Sequence, residues 1–203
     1  MNRFRRGLRH CELSLCGLVL FAGCGSTAPI HYYQLSAIPY SETEETSVRA
    51  DKGAVVGIGP VDIASYVDRA HLVIRAGATE LALLESSRWA EPLQQNLTRV
   101  LIDNLSQALV NDGATVVRWD DGILLDYRVR IEFTKFDFSK TGEVSLVARW
   151  VISGQDSQEA LTIKTSRFHS VGIPGDYGFL VSEMSGHVES LSQEISRTLS
   201  DNF

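Results

Sequence analysis

Apolar positions recur along this chain with two different periods, and the period changes from one segment to the next. Residues 54–63, AVVGIGPVDI, are apolar almost throughout. That predicts a buried strand, with Pro60 marking where it ends or reaches a sheet edge. Residues 71–86, HLVIRAGATELALLES, divide into two short apolar runs around Gly77-Ala78, the pattern of a hairpin. Leu93, Leu97, Val100, Leu101, Leu105, Ala108 and Leu109 then recur at three- and four-residue steps. They form one stripe of a helix, with Gln94, Gln95, Arg99 and Asp103 facing away. Pro92 suits its first turn and Gly113 its stop, so the helix is expected over about 92–112. Two glycosylation-like sequons inside it, Asn96-Leu-Thr98 and Asn104-Leu-Ser106, read as chance.

Beyond that helix the period returns to two. ATVVRW, residues 114–119, predicts a strand, and Asp120-Asp121 before a glycine predicts a turn. Tyr127, Val129, Ile131 and Phe133 alternate with Arg128, Arg130, Glu132 and Thr134, as in an antiparallel strand with one wet face. The apolar phase then moves to Phe136 and Phe138, which places a bulge near Thr134-Lys135. Val144, Leu146, Ala148, Trp150 and Ile152 continue the sheet, followed by Leu161, Ile163 and Thr165 after a turn at 154–157. Leu180, Met184, Val188, Leu191, Ile195 and Leu199 form a second amphipathic stripe over 177–200, capped by Asp176. His31 to Leu35 reads as a short first strand, and the charged stretch 41–53 as a surface loop. The fold class is therefore α+β, a mostly antiparallel sheet packed by two amphipathic helices.

The N-terminus follows different rules. Arg3, Arg5, Arg6 and Arg9 precede an apolar run from Leu13 to Phe21, which is too short to span a bilayer and has the form of a secretory signal. Ala22-Gly23 supply the small residues before a cut, and Cys24 stands at the junction with polar chain. A buried thiol, half of a disulfide and an attachment point are the three roles open to such a cysteine. The pattern resembles the bacterial lipobox, with Phe21 where leucine is usual, and the resemblance implies an acylated Cys24 as the new N-terminus. The expected organisation is a signal peptide at 1–23, a lipidated tether at 24–30 and one domain at 31–203.

Cleavage would remove Cys11 and Cys16 and leave one acylated cysteine, hence no disulfide. Because the leader carries four Arg and one Glu, the basic and acidic totals fall from 19 and 25 to 15 and 24, a net charge of −9. Such a balance argues against nucleic acid as a partner and against broad electrostatic adhesion to anionic headgroups. The lipid itself is then the expected link to the bilayer.

Catalytic chemistry is hard to assemble from what remains. His31, His71, His169 and His187 have no metal-binding spacing, and no nucleophile elbow or phosphate loop is present. Gly57-Ile-Gly59 lacks the third glycine and the following helix of a dinucleotide fingerprint. His187 lies beside the stripe of the last helix, the place of a satisfied boundary histidine. No catalytic residue, metal or cofactor is expected.

Two blocks carry more information: VDIASYVDR at 61–69 and SSRWAEPLQQNLTRVL at 86–101. With the early YYQL and the lipobox, they resemble the PqiC-type auxiliary lipoproteins of MCE-type lipid transport systems, within the ABC-type transport auxiliary lipoprotein family. The matching segments are Tyr66-Val67-Asp68-Arg69 and Arg88-Trp89-Ala90-Glu91-Pro92-Leu93, with a departure at Ala70, where proline is common. The resemblance implies a non-enzymatic periplasmic lipoprotein of a Gram-negative bacterium, lipid-anchored to the outer membrane and partnered by an MCE-domain protein. Gly25, rather than Asp, after the cysteine agrees with outer-membrane sorting. Homo-oligomers arranged as a ring around an MCE tube are compatible with closed symmetry. Tyr66, Arg69, Arg88 and Trp89 are the candidate partner-binding residues, since Trp, Tyr and Arg are common interface anchors. Trp89, three residues before a helix-opening proline, can equally staple the loop to the helix. A scaffold for another envelope complex and a periplasmic hydrolase are the alternatives.

Overall fold

The computed structural model describes residues 28–39, 53–119, 122–155 and 159–203. The leader, Cys24, nearly all of the 41–53 loop, Asp120-Asp121 and part of the 154–157 turn lie outside the described residues. Three long strands form the frame: β6 (Tyr127–Ser139), β7 (Glu143–Ser153) and β8 (Ala160–Val171), an antiparallel meander. The inward residues of β6 are Val129, Ile131 and Phe133 before Thr134, and Phe136 and Phe138 after it. The pairing with β7 slips between Phe133 and Lys135, the bulge that the change of apolar phase predicts. Val144, Leu146, Ala148, Trp150 and Ile152 of β7 are all fully buried.

β8 departs from expectation. Leu161 and Ile163 are 49% and 66% exposed, on the outer face, where Ile163 pairs with Val151. Apart from Phe168, which packs against the core, the inner positions of β8 are polar because they meet the rim of the last helix, α2 (Tyr177–Ser200), instead of its apolar stripe. There the Trp150 indole donates to Ser166 Oγ (2.9 Å), which donates to Glu194 (2.7 Å), and Lys164 reaches Thr198 (3.1 Å). A buried indole N–H needs such an acceptor.

On its other side β6 meets two strands in series. β2 (Val55–Ile63) runs parallel to its first half, and β3 (His71–Arg75) pairs parallel with its end, Ile74 opposite Phe138. β5 (Thr115–Arg118) lies parallel on β2, and β4 (Leu81–Trp89) closes the predicted hairpin with β3 and carries β1 (His31–Tyr33) in parallel. The sheet is thus mixed, although its antiparallel pairings hold most of the paired residues. β2 continues past Pro60 to Ile63, but β5 ends opposite Ile58, so the proline comes where one flank has no strand and its missing N–H breaks no ladder. Gly57 admits Leu125 against the sheet, since a Cβ there would lie 2.4 Å from that side chain.

Both helices cover the same face and touch each other. α1 (Leu93–Ala108) buries the predicted leucines and valine, while Ala108 is exposed. A 3-10 turn at Val110–Asp112 ends at Gly113, whose φ of 69° is the left-handed region that favours glycine. In α2 all six stripe residues are buried, and Asp176 accepts a hydrogen bond from the Phe179 amide (3.0 Å) as its cap.

Candidate functional site

The two sequence blocks meet at the corner where β1, β4 and β3 lie side by side. After Ile63 the chain leaves β2, turns through Ala64 to Ala70 and enters β3. Val67 plugs the core, while Asp68 and Arg69 are exposed. The Trp89 amide donates to Ala70 O (2.8 Å), and His71 pairs with Arg88, so the Tyr66–Arg69 and Arg88–Trp89 segments are joined through the backbone.

Their side chains serve different surroundings. Tyr66 is half-buried and donates its hydroxyl to Asp137 Oδ2 (2.8 Å), which also accepts from Arg75 Nε (3.1 Å) and Nη2 (2.5 Å). Lys135 stands 4.0 Å from the other carboxylate oxygen. Burial, with Asp137 adding a hydrogen bond and a negative charge, pushes the Tyr66 phenol up to about 12. Asp137 in turn raises Arg75. Because Asp137 is only 3% exposed, this ion pair keeps a buried carboxylate satisfied, and Tyr66 is committed to it. Trp89 is 7% exposed and belongs to the core beside Leu93, the position of a staple between the β4–α1 loop and the helix. Arg69 lies on the surface with its Nε on Tyr66 O (3.3 Å). Arg88 is half-buried, and among the described residues its side chain makes no hydrogen bond or ion pair; its Nε is shielded and unpartnered.

A third element of the corner escaped the sequence reading. Residues 34–39 cross both helices as a strap whose backbone is held by side chains. Asn96 accepts from Leu35 N (2.7 Å) and donates to Leu35 O (3.2 Å). Asn104 accepts from Ile38 N (2.9 Å), Gln107 donates to Ile38 O (2.8 Å), and Ser185 accepts from Ser36 N (3.2 Å). Leu35, Asn96 and Asn104 are buried. The signal was present as two asparagines eight residues apart, next to Leu97 and Leu105 on the buried side of a helix.

Two other places hold polar groups. A cavity of about 470 Å³ opens between β2, the end of β5 and the start of α1, lined by residues that include Pro60, Gln94, Thr98 and Trp119. Gln94 within it is already bonded to Val61 O (2.6 Å), and Arg128 and Arg130 lie about 5.7 and 5.9 Å from the Trp119 ring centre. His187 is buried in α2, 6.1 Å from the Phe168 ring, with Nδ1 unpartnered among the described residues. Burial holds it below its ordinary 6.5, with His169 pushing the same way and Glu183 opposing. Among the described residues no group of three or more His, Cys, Asp or Glu could hold a metal ion, and no helix is long and apolar enough to cross a membrane.

Comparison with known proteins agrees in fold and in sequence. The profile of the ABC-type transport auxiliary lipoprotein component family matches residues 33–196. The intermembrane transport lipoprotein PqiC of Escherichia coli is 25% identical over 181 residues, covering 87% of this chain and 92% of that protein, and the PqiC of Shigella flexneri matches equally. Among solved structures, an uncharacterized protein superposes with a TM-score of 0.70 at 19% identity, over 85% of this chain and 99% of that one. A protein from Xanthomonas campestris does so with a TM-score of 0.63 at 13% identity, over 85% and 100%. At these identities the two structures establish the shared fold.

Proposed function

The chain belongs to the family of ABC-type transport auxiliary lipoprotein components, and from that premise we propose that it is the outer-membrane-anchored, periplasmic member of an MCE-type system moving lipids between the two membranes. Its role in this reading is binding and positioning, not catalysis. The observation that carries the reading is the likeness, along most of both chains, to a relative named for intermembrane transport. The strap adds physical support. A domain held to a membrane by its N-terminus must resist pulling there, and here the entering chain is fixed to both helices by side chains from Asn96, Asn104, Gln107 and Ser185.

Fractionation of wild type and Cys24→Ser on a density gradient tests the anchor. Wild type is expected with the outer membrane and Cys24→Ser in the soluble periplasm; equal solubility of both would overturn it. Cross-linking in cells followed by pull-down tests the partner. Recovery of an MCE-domain protein supports the transport role, whereas recovery only of barrel-assembly or cell-wall components would favour the scaffold role.

A further inference from the structure

The outer face of the β1–β4–β3 corner carries a row of side chains that the fold itself does not use. Tyr32, Arg88 and His71 are paired in register across the three strands, which puts them on one face. Leu83 and Leu81, opposite Val73 and Arg75, continue that face along the hairpin. Tyr32 is 63% exposed, Leu83 44% and Leu81 39%, with Ile30 at 43% just before the first strand. Arg88 sits in the middle, half-buried, and among the described residues its side chain has no acceptor, its shielded Nε included. An arginine that has lost part of its hydration and gained no anion is incomplete, and its planar fork matches phosphate.

We propose that this face rests on the bilayer to which the chain is tethered, with Tyr32, Leu83 and Ile30 in the interfacial region and Arg88 on a phospholipid headgroup phosphate. The proposal rests on acylation of Cys24. Residues 25–29 are the only chain between that cysteine and Ile30, and five residues span at most about 18 Å. Whatever face carries Ile30 is therefore kept beside the membrane, and tyrosine with aliphatic neighbours suits the interface. The same segments contribute Asp68 and Glu85, so attraction here is a local phosphate contact, consistent with a domain whose net charge opposes broad adhesion.

The test uses the full acylated chain in vesicles of phosphatidylethanolamine and phosphatidylglycerol. With Cys24 acylated and residues 1–23 cleaved off, so that Cys11 and Cys16 are gone, a thiol introduced by Tyr32→Cys is the only free one and takes a nitroxide label; Asp103→Cys on α1 supplies the control position. The label at position 32 is expected to be shielded from an aqueous nickel complex several-fold more than that at 103. Arg88→Gln should abolish the shielding while the protein still floats with vesicles, Arg88→Lys should retain part of it, and the exposed-site change Leu83→Glu should abolish it with unchanged melting. Failure to float would overturn the acyl anchor and the docking with it. Flotation with equal access at 32 and 103 would overturn the docking alone, as would shielding that appears only on adding a protein partner.

Discussion

The meander and the strapped corner are held together in opposite ways. In β6, β7 and β8 the backbone groups pair with one another over long ladders, and the side chains add an apolar layer in which Trp150 is fully buried. At the corner β1 shares only three residue pairs with β4, and the chain beyond it satisfies its backbone through Asn96, Asn104, Gln107 and Ser185. The ladder is redundant, so the loss of one polar side chain is absorbed. The strap is not, because each of these backbone groups depends on a single side chain, a carboxamide or, for the Ser36 amide, the Ser185 hydroxyl.

The largest effect separates core packing from both. Trp150→Ala should cost about 3–5 kcal/mol, read as a fall in the thermal midpoint, because it empties the centre of the meander and removes the donor to Ser166. A loss under about 1 kcal/mol would show that the meander is not the stability frame. Next, Asn96→Ala should cost about 1–3 kcal/mol and speed amide exchange at Leu35 and Ile38 while leaving β7 protected. Uniform acceleration across the protein would mean that strap and sheet unfold as one unit.

A pH titration sharpens the contrast within α2. His187 is held below 6.5 in the folded protein, so the unfolded chain binds its proton first as pH falls. Stability should be unaffected above that pH and decline as pH drops through 6.5 towards the depressed folded value. Phe168 gives the site no charge, Glu183 moderates the decline and His169 deepens it. His187→Gln should flatten this limb of the curve; an unchanged slope would reassign it to the carboxylates. The smallest effect belongs to the outer face of the meander, where Arg149 and Glu132 pair at 2.5 Å with side chains 61% and 43% exposed. Arg149→Ala should change stability by roughly 0–1 kcal/mol, and a larger loss would show that the wet face is structural.

What was legible in the sequence follows from where local pattern and final environment agree. Periodicity located both helices and the β6 bulge, because in each the residues that alternate or stripe are those that meet the core. The β3–β4 hairpin was legible from its two apolar runs around Gly77-Ala78, although Leu81 and Leu83 of the second run turn outward. The Asp176 cap and the Gly113 stop are likewise local chemistry. The sequence also brought forward the Tyr66–Arg69 and Arg88–Trp89 blocks as a pair. It was silent on how they divide, with Tyr66 drawn to Asp137, Trp89 to the core and Arg88 left without a side-chain partner among the described residues, since those outcomes depend on strands far apart in the chain.

By itself, then, the sequence determined the α+β class, the element boundaries to within a few residues and the family. Tertiary structure alone decided the parallel joins of β2 and β3 to β6, the outward turn of Leu161 and Ile163, and the change of Asn96 and Asn104 from apparent chance sequons to the fastening of the strap. Period specifies which face of an element is apolar; which neighbour that face meets, and which buried polar group must find an acceptor there, is set only when distant segments are brought together.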